Sequence, residues 1–255
     1  MEKRATLVFD ADDTLLATSW TYDAAYCSFF EYLYRIMPGR VPCLHDVYER
    51  FIQIEAELAP SWGIKRGRVA ESMATLYQEI CDWIKERYGE SVYRFGYEKK
   101  IREIGDTPFH YQNHTWLPEV KETLLELKRR GHVLCLLTSY DTGLFPERSK
   151  FLGFCEFFEP KRVMSINRKK TSSDFIEVSG WQPNSDSRFF SIGNGESDIR
   201  PVLDISENWH GVYIPFRTTS PFFNRSDGKV KFDAKPFDHP KVITVRKFSE
   251  LLKHL

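Results

Sequence analysis

Between residue 116 and the C terminus, short apolar runs alternate with amphipathic stretches of helical period, and no other feature restricts the fold of this chain so strongly. Residues 132–137, 162–166, 189–192, 211–215 and 242–245 are too short for ordinary helices and rich in β-branched or aromatic residues, which reads as buried strands. Residues 118–130 carry their apolar side chains on one helical face, with Pro118 near the start and Gly131 just past the end. Strands that alternate with helices pair in parallel, and the helices cover both faces of the sheet. The expected class is therefore α/β, a Rossmann-like, doubly wound and mostly parallel sheet. One earlier apolar run, residues 5–9, supplies the first strand and stops at Asp10-Ala11-Asp12-Asp13-Thr14.

From residue 20 to about 90 the pattern is helical instead. Tyr26, Phe29, Phe30, Leu33 and Ile36 recur at spacings of three and four, as do Val69, Met73, Leu76, Ile80 and Ile84. Breaks are expected at Met37-Pro38-Gly39, at Ala59-Pro60 and between Gly63 and Gly67, with a weaker stretch leading to Gly105-Asp106-Thr107-Pro108. The economical reading is one α/β core, residues 1–17 and 115–255, interrupted after its first strand by an α-helical domain, residues 18–114. Residues 218–240, rich in Pro, Asp, Asn and Lys, read as a surface excursion between the last two strands.

Composition excludes some partners. The 36 Lys and Arg residues cancel the 36 Asp and Glu residues, so no overall field draws the chain to nucleic acid or to a membrane surface. The 5 cysteines are scattered without a Cys-x-x-Cys pair, which argues against a disulfide framework or a zinc site and fits a reducing, cytoplasmic setting. No apolar run reaches the roughly 18 residues of a membrane span.

In open α/β sheets ligands bind beyond the carboxyl ends of the strands, so the residues delivered there carry the functional reading. The first strand delivers Asp10 and Asp12, the strand at 132–137 delivers Thr138 and Ser139, and the strand at 189–192 delivers Gly193-Asn194-Gly195-Glu196-Ser197-Asp198. Between the last two lies Arg168-Lys169-Lys170-Thr171. Carboxylate and amide oxygens at one sheet edge suit a hard cation such as Mg²⁺, while hydroxyls and an ammonium suit a phosphate. Other candidates are weaker. His110 and His114 have the spacing of a metal pair but no partnering ligand motif, and they read as structural. The aromatic stripe from Tyr22 to Tyr34 reads as core, and Lys65, Arg66 and Arg68 form a cationic connection open to either a substrate contact or plain solvation.

With these motifs in order, the sequence resembles the haloacid dehalogenase superfamily of phosphotransferases. Asp10-x-Asp12-x-Thr14 is similar to its first motif, Thr138 to its second, a lysine at 169 or 170 to its third, and Gly193-Asn194-x-x-x-Asp198 to its fourth. The helical insertion after the first motif resembles the C1 cap of that family. Lys170-Thr171 followed by Phe175, and Asp198 followed by Pro201, resemble a bacterial branch, and that spacing favours Lys170 over Lys169. Two positions depart from the common pattern: Asp13 stands where many members have Gly, and Asn194 stands where Asp is usual.

The resemblance implies an Mg²⁺-dependent phosphatase acting on a small phosphorylated metabolite. Asp10 is then the nucleophile and Asp12 the general acid and base. Thr138, Ser139 and Lys170 hold the phosphoryl group, and Asp10, the Asp12 carbonyl, Asn194 and Asp198 hold the metal. Dehalogenases of the superfamily lack an acid two residues after the nucleophile, so Asp12 disfavours halide release. A phosphomutase acting on a sugar phosphate would use the same motifs, and a binding or regulatory protein with weakened chemistry is the alternative that Asn194 keeps open.

Overall fold

The computed structural model describes residues 4–183, 185–215 and 237–255. The chain divides into two compact units, Met1–Ser19 with His114–Leu255, and Trp20–Asn113. The elements run β1 (Ala5–Phe9), β2 (Leu16–Ala17), α1 (Ser19–Ile36), α2 (Leu44–Trp62), α3 (Arg68–Tyr88), α4 (Phe95–Asp106), β3 (Thr115–Trp116) and α5 (Val120–Arg129). They continue through β4 (Val133–Ser139), α6 (Phe145–Leu152), β5 (Val163–Ile166), α7 (Ser172–Ser179), β6 (Arg188–Gly193), α8 (Glu196–Leu203), β7 (Trp209–Tyr213), β8 (Val242–Thr244) and α9 (Leu251–His254).

The first unit is built on a parallel sheet of order β5-β4-β1-β6-β7-β8. The chain moves from β1 outward through β4 and β5, then returns to the other side of β1 with β6. This reversal is the topological switch point at which α/β sheets bind ligands. β1 is the reason the order closes: all five residues, Ala5 to Phe9, are buried, and its backbone is paired on both edges. Val8, Cys135, Leu137, Phe189 and Trp209 point to one face, where Phe175 and Val178 of α7 and Ile199 and Val202 of α8 cover them. Phe9 points to the other face and meets the rings of Phe158 and Phe248. The sheet is thus covered on both sides, as a doubly wound fold requires.

The short β2 and β3 pair antiparallel, joining the two places where the chain leaves and re-enters this unit. The expected strand at 132–137 instead runs Val133–Ser139, so Thr138 and Ser139 belong to the strand and do not follow it. His132 stays outside, and its Nδ1 accepts the Ala5 amide at 3.2 Å. The proposed excursion at 218–240 lies for the most part outside the described residues.

The second unit is helical. Tyr26, Phe29, Phe30 and Leu33 of α1 are buried with Phe51 and Ile54 of α2 and Met73, Leu76, Tyr77, Ile80 and Ile84 of α3. Tyr26 and Phe51 meet edge to face with centroids 5.1 Å apart, so the aromatic stripe of α1 is core. One expected break is absent. α2 continues through Pro60 to Trp62, because a proline this close to the C-terminal end removes one bond while the Gly63 amide still reaches the Ala59 carbonyl at 2.9 Å. Helices α3 and α4 approach so closely that a Cβ on Gly105 would lie 2.4 Å from the Ala70 Cα. Because the Ala70 Cα belongs to the backbone and the new Cβ is fixed to the backbone at Gly105, relief requires separating the helices. Gly105→Ala is expected to destabilise the protein by about 1–3 kcal/mol despite alanine's better helix propensity. Urea denaturation checks this, and an unchanged midpoint would contradict the close approach.

Candidate active site

The site forms at the carboxyl end of β1 from segments far apart in sequence. The Asp10 amide donates to the Ile192 carbonyl at 2.9 Å, which extends the β1–β6 ladder by one bond and fixes the aspartate at the strand end. The chain then folds back, with the amides of Leu15 and Leu16 both donating to the Ala11 carbonyl at 2.9 and 3.0 Å. Asp13 takes a left-handed backbone at φ 56°, a conformation that glycine adopts more readily than a residue with a side chain. Its carboxylate accepts the Thr18 amide at 3.0 Å, the Ser19 amide at 2.9 Å and both hydroxyls, anchoring the segment that leads into α1. Asp13 is therefore occupied with holding the loop.

Three buried charges make the centre. The Lys170 ammonium donates to Asp10 Oδ1 and, at 2.7 Å, to Asp198 Oδ1, with Lys170 and both carboxylates less than a tenth exposed. Thr14 lies beside them, its hydroxyl 3.3 Å from Asp10 Oδ2 and 3.2 Å from Asn194 Oδ1. Asp198 sits in the first turn of α8, where its other oxygen accepts the Gly195 amide at 2.9 Å. A Cβ on Gly193 would fall 2.3 Å from the Asp198 Cβ, so glycine at the end of β6 is what lets Asp198 in. Of the two adjacent lysines, Lys170 enters the site and Lys169 is exposed.

Asp12, two residues on, belongs to a second pair. Arg148 Nη1 donates to its Oδ2 at 3.2 Å, and Nη2 donates to its Oδ1. The Thr138 hydroxyl is 3.4 Å from the same Oδ2. Ser139 stands one residue further along β4, its hydroxyl donating to the Arg168 carbonyl at 2.9 Å. The structure thus brings Asp10, Asp12, Thr138, Lys170, Asn194 and Asp198 to one edge, with Ser139 at its border. His114 is buried against Tyr140, and His110 is exposed in a turn of the helical unit. Arg66 and Arg68 are taken up by ion pairs with Asp106 and Glu55.

Arg148 was not legible as a site residue from motif spacing. Its signal was periodicity: Phe145, Arg148 and Leu152 share the inward face of α6, and a cation on an apolar stripe asks for a buried anion.

Electrostatics follow from burial. Desolvation pushes the Asp10 carboxyl up to about 7, with Asp198 and Asp12 adding to it and Lys170 opposing. Burial also disfavours the Lys170 ammonium, but the two carboxylates outweigh it and keep the lysine protonated. For Asp12 burial again works upward, and the Arg148 guanidinium, by charge and hydrogen bonds, overcomes it and holds the carboxyl below its usual range. Three carboxylates face two cations, so the cluster is short of positive charge. Asp10, Asp198 and Asn194 present oxygen donors only, the kind a small hard cation takes along with water and phosphate oxygens. Among the described residues no group of three His, Cys, Asp or Glu could hold a metal by itself. The oxygen donors suit the chemistry of a cation of the Mg²⁺ type, without an all-protein cage among the described residues.

No protein-family model and no curated protein matches the sequence. Solved structures do match. A haloacid dehalogenase-like hydrolase from Xanthomonas campestris is 20% identical with a TM-score of 0.68, over 99% of this chain and 91% of that one. A Bacillus subtilis hydrolase of the same superfamily, bound to magnesium, is 17% identical with a TM-score of 0.55 over 99% of both chains. A dehalogenase with an intermediate complex is 15% identical with a TM-score of 0.53, over 100% of this chain and 98% of that one. The chain has the haloacid dehalogenase fold.

An Asp10 carboxyl that prefers its proton in the folded state costs stability once pH removes that proton. The penalty grows as pH rises from about 4 to about 7 and is complete above. In EDTA, Asp10→Asn is expected to be more stable than wild type at pH about 8, by on the order of a few kcal/mol, with the difference vanishing near pH 4. Thermal denaturation across that range checks it, and a variant less stable at high pH would contradict the charge deficit.

Proposed function

We propose that this chain is an Mg²⁺-dependent phosphatase of the haloacid dehalogenase superfamily, hydrolysing a small phosphomonoester through a phosphoaspartate at Asp10. The observation that carries the reading is the pairing of Asp10 with Lys170 and Asp198 at the end of the central strand, with Asp12 two residues away on the same loop. Asp10 attacks phosphorus in line, so that its carboxylate oxygen bonds to phosphorus as the ester oxygen leaves. Asp12, which Arg148 keeps as a carboxylate in the free site, has to take up a proton as substrate binds; it then gives that proton to the leaving oxygen and afterwards takes one from the water that attacks the phosphoaspartate, releasing inorganic phosphate and restoring Asp10. Thr138, Ser139 and Lys170 surround the transferring group, where charge accumulates. Asp10, Asn194, Asp198 and the Asp12 carbonyl are the groups to hold Mg²⁺, which would neutralise the negative charge of the phosphoryl group as it meets a carboxylate. A magnesium-bound hydrolase of the same fold supports that choice.

The fold is also that of a dehalogenase. Halide leaves as a stable anion and needs no proton, whereas an alkoxide leaving phosphorus does, so an acid at Asp12 favours the phosphate ester. The helical unit, inserted between β2 and β3, is read as the family's cap, and among the described residues no helix is long and apolar enough to cross a membrane.

The test is phosphate release from p-nitrophenyl phosphate with Mg²⁺ and with EDTA. Wild type is expected to require the metal and Asp10→Asn to release none while remaining folded. Lys170→Ala should lose about 100-fold or more and Lys169→Ala less than about threefold. Undiminished release by Asp10→Asn would remove the assignment.

A further inference from the structure

We infer that Arg148 is a positioning residue that aims the Asp12 carboxylate at the leaving oxygen. The inference rests on the phosphatase reading of the site and adds to it a residue outside the motifs that define that reading. Its side chain is fully buried, on the inward face of α6 between Phe145 and Leu152. A leucine or methionine would fill such a place without desolvating a charge, so the fold alone does not account for an arginine there. The guanidinium presents two nitrogens to the two oxygens of Asp12, a fork that fixes the plane of the carboxylate as well as its place.

The fork is itself supported. The Arg148 guanidinium lies 4.0 Å from the centroid of the Tyr140 ring. Tyr140 is buried, its amide donating to the Ile166 carbonyl at 2.8 Å and its carbonyl accepting the Ser165 hydroxyl at 3.3 Å. The end of β4 and its neighbour β5 thus hold the tyrosine, the tyrosine supports the guanidinium, and the guanidinium orients Asp12. Asp12 needs this help. It sits in the loop beyond β1, its side chain is 30% exposed, and besides Arg148 it meets the neutral hydroxyls of Thr138, at 3.4 Å, and Thr18. An acid that must meet one ester oxygen loses rate steeply when its direction is free, and this gain in direction has to exceed the cost of Arg148 favouring the deprotonated form of Asp12.

The experiment compares two esters of similar size, phenyl phosphate, whose phenolate is the poorer leaving group, and p-nitrophenyl phosphate, whose anion leaves without a proton. kcat/KM reports the steps up to phosphoryl transfer to Asp10. Arg148→Met is expected to lower it about 10- to 100-fold on phenyl phosphate and less than about threefold on p-nitrophenyl phosphate. Arg148→Lys, which keeps the charge and loses the fork, should not recover the phenyl phosphate rate. In an Asp12→Asn background, Arg148→Met should cost less than about twofold, because its action runs through Asp12. Equal losses on both esters, full recovery by lysine, or an undiminished cost beside Asp12→Asn would each overturn the inference. If wild type hydrolyses neither ester, the phosphatase reading fails, and a crystal structure of Arg148→Met decides the positioning separately. Asp12 leaving its wild-type rotamer supports it, and Asp12 keeping that rotamer overturns it.

Discussion

One ammonium group between two buried carboxylates holds the functional edge of this protein together. Lys170 reaches Asp10 on the central strand and Asp198 on α8, linking three segments that are adjacent only in the fold. Without that cation the two carboxylates would face each other out of water, where like charges are costly. With it Asp10 still retains a raised proton affinity, first because burial strips its carboxylate of water and then because Asp198 and Asp12 lie close. That proton affinity ties the stability of the folded site to the charge state of Asp10.

Around this centre the backbone prepares each side chain separately. The ladder bond from Asp10 to Ile192 fixes the nucleophile candidate, the Asp13 carboxylate anchors the loop at Thr18 and Ser19, and the absence of a side chain at Gly193 admits Asp198. The two carboxylates of Asp-x-Asp consequently enter different surroundings. Asp10 is buried with lysine and a second carboxylate, whereas Asp12 is partly exposed and gripped by an arginine. Two chemically identical residues, separated by one alanine, are thereby given different proton affinities.

Much of this was legible in the chain as written. Short apolar runs after residue 116 indicated a parallel sheet, and their boundaries fell within a few residues of the strands. Periodicity in the first hundred residues marked the helical unit, and the aromatic stripe of α1 was read as core for the reason it is core. Two local rules misled. Pro60 suggested a break that α2 tolerates near its end, and the strand after Gly131 ran on through Thr138 and Ser139 because pairing with β5 continued to Ile166. Both are cases where neighbouring hydrogen bonds outweighed local propensity.

The sequence by itself determined the class of fold, the order of its strands' chemical cargo and the identity of the carboxylates, because strand period and strand-end position are local properties of a chain. Only the tertiary structure decided which partner each carboxylate has. Lys170 over Lys169, the Gly193 opening for Asp198, the loop duty of Asp13 and the grip of Arg148 on Asp12 all depend on distances across the sheet. Burial and charge pairing act through space, and residues 12 and 148 become neighbours only after β1, β4 and α6 have packed.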